Sequence, residues 1–228
     1  MIIDALTHVN PNPKAFGDRY DASVEFLIKN LEESPVDRAV VTAIAADTYY
    51  GTSNEFVIEC CRKYPDRLIG VASVDPLRDP DAVATLERCV REGGMRGLKL
   101  HPRHQKLSVA DPAVFPVVEK AAELGVPVWI CGSQWRNAPL KFQMPIHVDD
   151  LCKAVPEAKI IIAHAGGFLF LQALMVAVAN PNVYLETSTD LKYFYGTPFE
   201  DQLMFVLKQV GARRVIYGSD HPEYAVKE

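Results

Sequence analysis

Two kinds of apolar pattern alternate along the chain. Short β-branched runs, apolar on nearly every residue, occupy 2–8, 36–44, 68–74, 95–101, 126–132, 159–164, 183–187 and 214–219. Between them lie stretches whose apolar positions recur every three to four residues: 22–33, 54–64, 80–92, 112–124, 148–155, 168–179 and 199–210. The first kind reads as strands covered on both faces, the second as amphipathic helices. Strands that alternate with helices predict a parallel sheet. Local punctuation agrees. Asp79-Pro80 and Asp111-Pro112 each set a capping carboxylate before a proline suited to the first helical position. Gly93-Gly94, Gly125 and Gly211 stand where a helix gives way to the next strand.

An open doubly wound sheet that binds a dinucleotide carries a Gly-x-Gly-x-x-Gly turn after its first strand. Here that position reads Thr7-His8-Val9-Asn10. Polar residues collect instead at the ends of several different strands, as the mouth of a closed barrel requires. The expectation is therefore a (β/α)8 TIM barrel, one domain over 1–228, with the eighth helix missing: either the chain is truncated, or that face of the barrel is closed by something else, such as a partner subunit. The irregular stretch 133–146, after the fifth strand, reads as an active-site loop.

Composition narrows the function classes. Apolar residues make up 49% and charged residues 23% of 228, as in ordinary globular enzymes. A net charge of −5 argues against a nucleic-acid surface, which needs clustered Lys and Arg. No run reaches the roughly 18 apolar residues of a membrane span. Met1-Ile2-Ile3-Asp4 lacks the basic and apolar regions of a signal peptide, so a cytoplasmic protein is expected. Five cysteines, two of them adjacent in a helical stretch, do not form a disulfide framework. Cys60, Cys61, Cys89 and Cys152 read as core or helix-face residues.

Strand residues two apart share a face. Asp4, Leu6 and His8 therefore point one way, with His8 at the strand end, and Lys99 and His101 do the same on the fourth strand. His164 ends the sixth strand and Asp220 the eighth. One buried histidine is ordinarily a hydrogen-bonded core residue, whereas four strand ends meeting at one rim favour a catalytic site. Lys99 either meets substrate or pairs structurally with Asp4 or Glu186. His104 and His221 read as solvated loop residues and His147 as structural, at a helix start. Tyr49 and Tyr50 in one loop, and Gln134, Trp135, Arg136 and Lys141 in another, suit a flat, anionic, carboxylated substrate. The same loops could pack inward or build a homodimer interface.

Gly97-Leu98-Lys99-Leu100-His101-Pro102, Ala163-His164-Ala165-Gly166-Gly167, the run 183–188, Gly218-Ser219-Asp220-His221-Pro222 and the run 64–76 resemble the strand-end motifs of the amidohydrolase-2 family. The likeness extends from the first strand to the eighth. It implies one divalent metal, commonly zinc, held by a His-x-His pair on the first strand, a His on the fifth, a His on the sixth and an Asp on the eighth. His8, His164 and Asp220 match three of these positions, while Leu6 and Cys131 stand at the other two. Two readings stay open. Cys131 thiolate could complete a tetrahedral zinc site with His8, His164 and Asp220. Alternatively, Leu6 and Cys131 are apolar fillers of a metal-free barrel. The implied activity is hydrolysis of a small carboxylated lactone, ester or amide by activated water, with Asp220 or His164 taking its proton and Lys99 or His101 steadying the oxyanion. Non-oxidative decarboxylation of an aromatic or muconate-type acid is the alternative within the family. A catalytically inactive barrel with a binding or assembly role is the alternative outside enzymology.

Overall fold

The apolar runs become the strands β1 (Ile3–Thr7), β2 (Arg38–Thr42), β3 (Leu68–Ser73), β4 (Leu98–Leu100), β5 (Val128–Cys131), β6 (Ile160–Ala163), β7 (Val183–Glu186) and β8 (Val215–Ile216) in a computed structural model, which describes residues 1–46, 50–134, 138–224 and 226. Each strand pairs in parallel with the next, in sequence order from β1 to β8. The ring closes at a seam beyond the short β8. The Ala5 N–H donates to the Tyr217 carbonyl (3.0 Å), Asp220 N–H to Leu6 carbonyl (2.9 Å) and His8 N–H to His221 carbonyl (2.7 Å). Asp4 Oδ1 accepts from the Ser219 N–H at 2.9 Å across the same seam. The molecule is thus the TIM barrel that the strand–helix alternation predicts.

The helices α1 (Val24–Glu32), α2 (Asn54–Lys63), α3 (Ala82–Arg91), α4 (Pro102–Gln105), α5 (Phe115–Glu123), α6 (Ile146–Ala154), α7 (Phe170–Ala179), α8 (Asp190–Phe194) and α9 (Glu200–Val210) lie outside the ring. Ser23 and Ser53 cap α1 and α2 by accepting from the Phe26 and Phe56 N–H groups, which satisfies an otherwise orphaned donor. Asp111 accepts from the Ala113 N–H and opens a 3-10 turn into α5. Asp79-Pro80 does not start a helix. The Asp79 carboxylate turns the chain by accepting from the Asp81 N–H (2.9 Å), and α3 begins at Ala82. Nor does a helix start at residue 168. Ala165, Gly166 and Gly167 all have positive φ (43°, 90° and 59°), which an α-helix excludes, so α7 begins at Phe170. Among the described residues no helix follows β8, and none is long and apolar enough to cross a membrane.

Most of the core lies between sheet and helices, where Leu27, Leu86, Val118, Leu151 and Leu203 are fully covered. A second, smaller core fills the ring at the end where the strands begin. Val40, Val71, Trp129 and Ile161 meet there, flanked by Ile3, Ile69, Tyr184 and Ile216. Gly97 makes room for the indole, since a Cβ there would lie 2.5 Å from Trp129 Cζ3. Two residues further along, the same inward positions hold Thr42, Ser73, Lys99, Cys131 and Glu186. One pleat of the sheet therefore separates a dry plug from a polar floor.

Candidate functional site

The polar floor carries the site. His8 leaves the end of β1, and its Nδ1 lies 2.9 Å from Thr42 Oγ1, which fixes the ring so that Nε2 faces Asp220 Oδ1 at 3.4 Å. Asp220, at φ 64°, accepts at Oδ2 from Thr189 Oγ1 (2.9 Å). Burial alone would raise the pKa of this carboxyl, yet His164 and His8 beside it hold it well below the usual range. His164 ends β6 with Nδ1 3.0 Å from Ser188 Oγ and 3.3 Å from the Ser188 carbonyl. Burial opposes its charge, but Asp220, Cys131 and Glu186 raise it to about 10, so the ring is an imidazolium at neutral pH.

The other half of the floor comes from β4 and β5. Cys131 Sγ lies 3.4 Å from Ser133 Oγ and is hydrogen-bonded by His101 and His164. Burial works against its ionisation, but those two rings outweigh it and bring the thiol well below its ordinary value. Burial pushes His101 down to about 3, leaving it neutral, and its Nδ1 has no hydrogen-bond partner. Lys99 is fully buried with its Nζ equally unpartnered, and burial lowers its pKa. The structural pairing of Lys99 with Asp4 or Glu186 therefore does not form as a hydrogen bond. Glu186 is instead engaged by the Ser188 N–H (2.5 Å), Ser188 Oγ (2.9 Å) and the His164 N–H (3.3 Å).

The structure thus brings His8, Lys99, His101, Cys131, His164 and Asp220 to one end of the ring. Tyr49, Trp135 and Arg136, the expected substrate contacts, lie outside the described residues. Two histidines need correction. His221 is not solvated: its carbonyl belongs to the seam, and its ring is fully buried, 5.7 Å from that of Phe26. His104 is half-buried between the rings of His101 (4.3 Å) and Tyr50 (5.2 Å), and burial pushes it down to about 4. Sequence reasoning passed over three participants: Thr42, Ser188 and Asp190. Thr42 could have been found from strand alternation. Asp190, buried with its Oδ2 unpartnered and raised to about 8 by that burial, sits on the one-turn α8, which carries no periodic signal.

Among the described residues no group of three or more His, Cys, Asp or Glu side chains is arranged to hold a metal ion. Leu6 offers only hydrocarbon and adds no ligand at the first of the two departing positions. The donors that converge are His8 Nε2 and Asp220 Oδ1. One nitrogen and one carboxylate fit a divalent cation that fills most of its shell with water or substrate oxygens, and they do not make the tetrahedral zinc set.

A family model described as amidohydrolase matches residues 3–223. The chain is 23% identical over 204 residues to 2-amino-3-carboxymuconate-6-semialdehyde decarboxylase of Dictyostelium discoideum, a match that covers 74% of this chain and 55% of that protein. This chain thus spans little more than half the length of that relative. It is 24% identical over 250 residues to gamma-resorcylate decarboxylase of Polaromonas sp. strain JS666, covering 87% of this chain and 73% of the other. Its fold matches 5-carboxyvanillate decarboxylase of Novosphingobium aromaticivorans, crystallised with manganese and 3-methoxy-4-hydroxy-5-nitrobenzoic acid. The TM-score is 0.75 at 15% identity, over all of this chain and 88% of that one. The expectation of a hydrolase is corrected by these relatives, all of them decarboxylases. The strand-end motifs are common to both chemistries, so they could not tell one from the other.

Proposed function

The chain belongs to the amidohydrolase family, and from that premise we propose that its barrel mouth catalyses the non-oxidative decarboxylation of a small aromatic or muconate-type carboxylic acid. One observation carries the reading: His8 and His164 flank the carboxylate of Asp220 at the end of the ring that also holds the buried, unpartnered amine of Lys99. Decarboxylation breaks the bond between the ring or chain carbon and the carboxyl group. The electron pair stays on that carbon, carbon dioxide leaves uncharged, and a proton must be supplied where the carboxyl stood. His164 can carry that proton, with Asp220 stabilising the imidazolium until it is given up and solvent restoring it afterwards. Lys99 Nζ is free to receive an oxygen of the substrate anion, and a buried anion gains most from a donor that has no competing partner.

A divalent ion of the kind found with the 5-carboxyvanillate enzyme would be held by His8 and Asp220, and would supply positive charge that polarises a substrate oxygen. Zinc held through Cys131 is not part of this reading.

The test is release of labelled carbon dioxide from gamma-resorcylate, 5-carboxyvanillate and related carboxylated phenols and muconates, with manganese supplied. His164→Gln and Asp220→Asn should each lower kcat by about 10²- to 10⁴-fold, the range of a lost proton-transfer group. Lys99→Met should act chiefly through KM. Absence of carbon dioxide from the whole panel, or undiminished turnover in His164→Gln, would remove the proposal.

A further inference from the structure

The end of the ring opposite the polar floor holds a recess of about 390 Å³, between the start of β2, the end of α2 and the turn into β4. Three guanidiniums line it and no carboxylate does. Arg38 is the first residue of β2, Arg62 lies in the last turn of α2, and Arg96 stands two residues ahead of β4. Such a gathering runs against a chain whose net charge is −5. Elsewhere arginines are met by acids, as Arg78 is by Asp75 (2.6 Å) and Arg91 by Glu87 (2.8 Å). Among the described residues, the exposed Arg62 and Arg96 side chains form no ion pair and no hydrogen bond.

The dipole of α2 accounts for a cation in its last turn, and so for Arg62 alone. Arg38 is fixed in place. Its Nη2 donates to the Pro65 and Leu68 carbonyls (3.3 and 3.4 Å), which clamps the group at the wall of the recess, and its Nε is buried without a partner. A buried donor left open is unfavourable until an acceptor arrives. Three like charges around one hollow repel each other and focus a positive field on the space between them. Planar forks of this kind match the oxygens of phosphate, and clustered arginines commonly read phosphate groups. The recess is larger than one phosphate ion and falls within the range of small-molecule sites, about 300–1,000 Å³. The plug of Val40, Val71, Trp129 and Ile161 parts it from the polar floor, so an anion held here is not the reacting acid.

We propose that this recess binds a small molecule through a diphosphate group, held between Arg38, Arg62 and Arg96. The proposal stands apart from the decarboxylation chemistry. Titration calorimetry with inorganic pyrophosphate, in buffer free of divalent metal, should show one ion bound per chain. Orthophosphate should bind about tenfold more weakly, because it reaches fewer of the three forks. Arg62→Gln and Arg96→Gln should each raise the pyrophosphate Kd about tenfold, the effect of one lost charge-assisted pair. Lys99→Met, at the other end of the ring, should bind pyrophosphate as the wild type does. Without ligand, both arginine variants should melt no earlier than wild type, since each removes one of three like charges. With pyrophosphate, the wild type should melt above either variant. No binding at millimolar pyrophosphate, undiminished affinity in the double variant Arg62→Gln, Arg96→Gln, orthophosphate as tight as pyrophosphate, or loss of binding in Lys99→Met would each overturn the proposal. Early melting of the ligand-free arginine variants would overturn it too, by marking the guanidiniums as parts of the fold.

Discussion

Asp4 accepts at Oδ1 from the Leu6 and Ser219 amides, while its Oδ2 is buried without a partner. Burial raises this carboxyl from 3.8 to about 6, and the sign of the consequence follows. Below pH 3.8 the group is protonated folded or unfolded and adds nothing. As pH rises toward 6, unfolding lets it ionise, so the folded state loses stability, by about 2–3 kcal/mol once both forms are titrated. Asp4→Asn keeps the acceptor and cannot ionise. It should raise the thermal midpoint at pH 8 and leave it nearly unchanged at pH 4. An equal effect at both pH values would show that the carboxyl is not titrating in this range. At the same scale, Leu6→His returns a nitrogen donor beside His8 and Asp220. Because even partners outside the metal shell are worth about 10- to 100-fold in affinity, manganese should bind at least about tenfold more tightly by calorimetry. Unchanged affinity would show that the cation does not bind at His8 and Asp220. Alternation alone was enough to point His8, Lys99 and His101 inward. Burial of His221 was not legible, because it depends on a seam between residues more than two hundred positions apart.

Strands and helices were the most legible level, since each rests on a local period. The misses share a cause. Helices α4 and α8 span one turn each and leave no repeat to read. The start of α3 was misplaced because Asp79-Pro80 serves a turn as readily as a helix start. Where two elements meet, a glycine can decide the packing, as Gly97 does ahead of β4. Gly97→Ala would drive a methyl group into the Trp129 ring, and overpacking of this kind costs about 1–3 kcal/mol. Urea titration followed by tryptophan fluorescence should show that loss with the slope unchanged. A variant as stable as wild type would mean that the plug inside the ring has room to spare.

For the whole molecule, the order of strands and their parallel sense followed from the strand–helix alternation, and closure followed from where the polar residues fell. The reaction did not follow, because the same strand-end residues serve water activation and proton delivery alike. The seam adds a consequence in time. Ala5, Leu6 and His8 close the ring only by bonding to residues 217–221, and Asp220 lies in that same segment. A nascent chain paused on the ribosome with residue 210 just emerged would hold seven of its eight strands and neither a closed ring nor the carboxylate that charges His164. Translation therefore delivers the catalytic pocket and the final stitch of the architecture together, and proteolytic resistance of arrested chains should rise in one late step as residue 221 clears the exit tunnel.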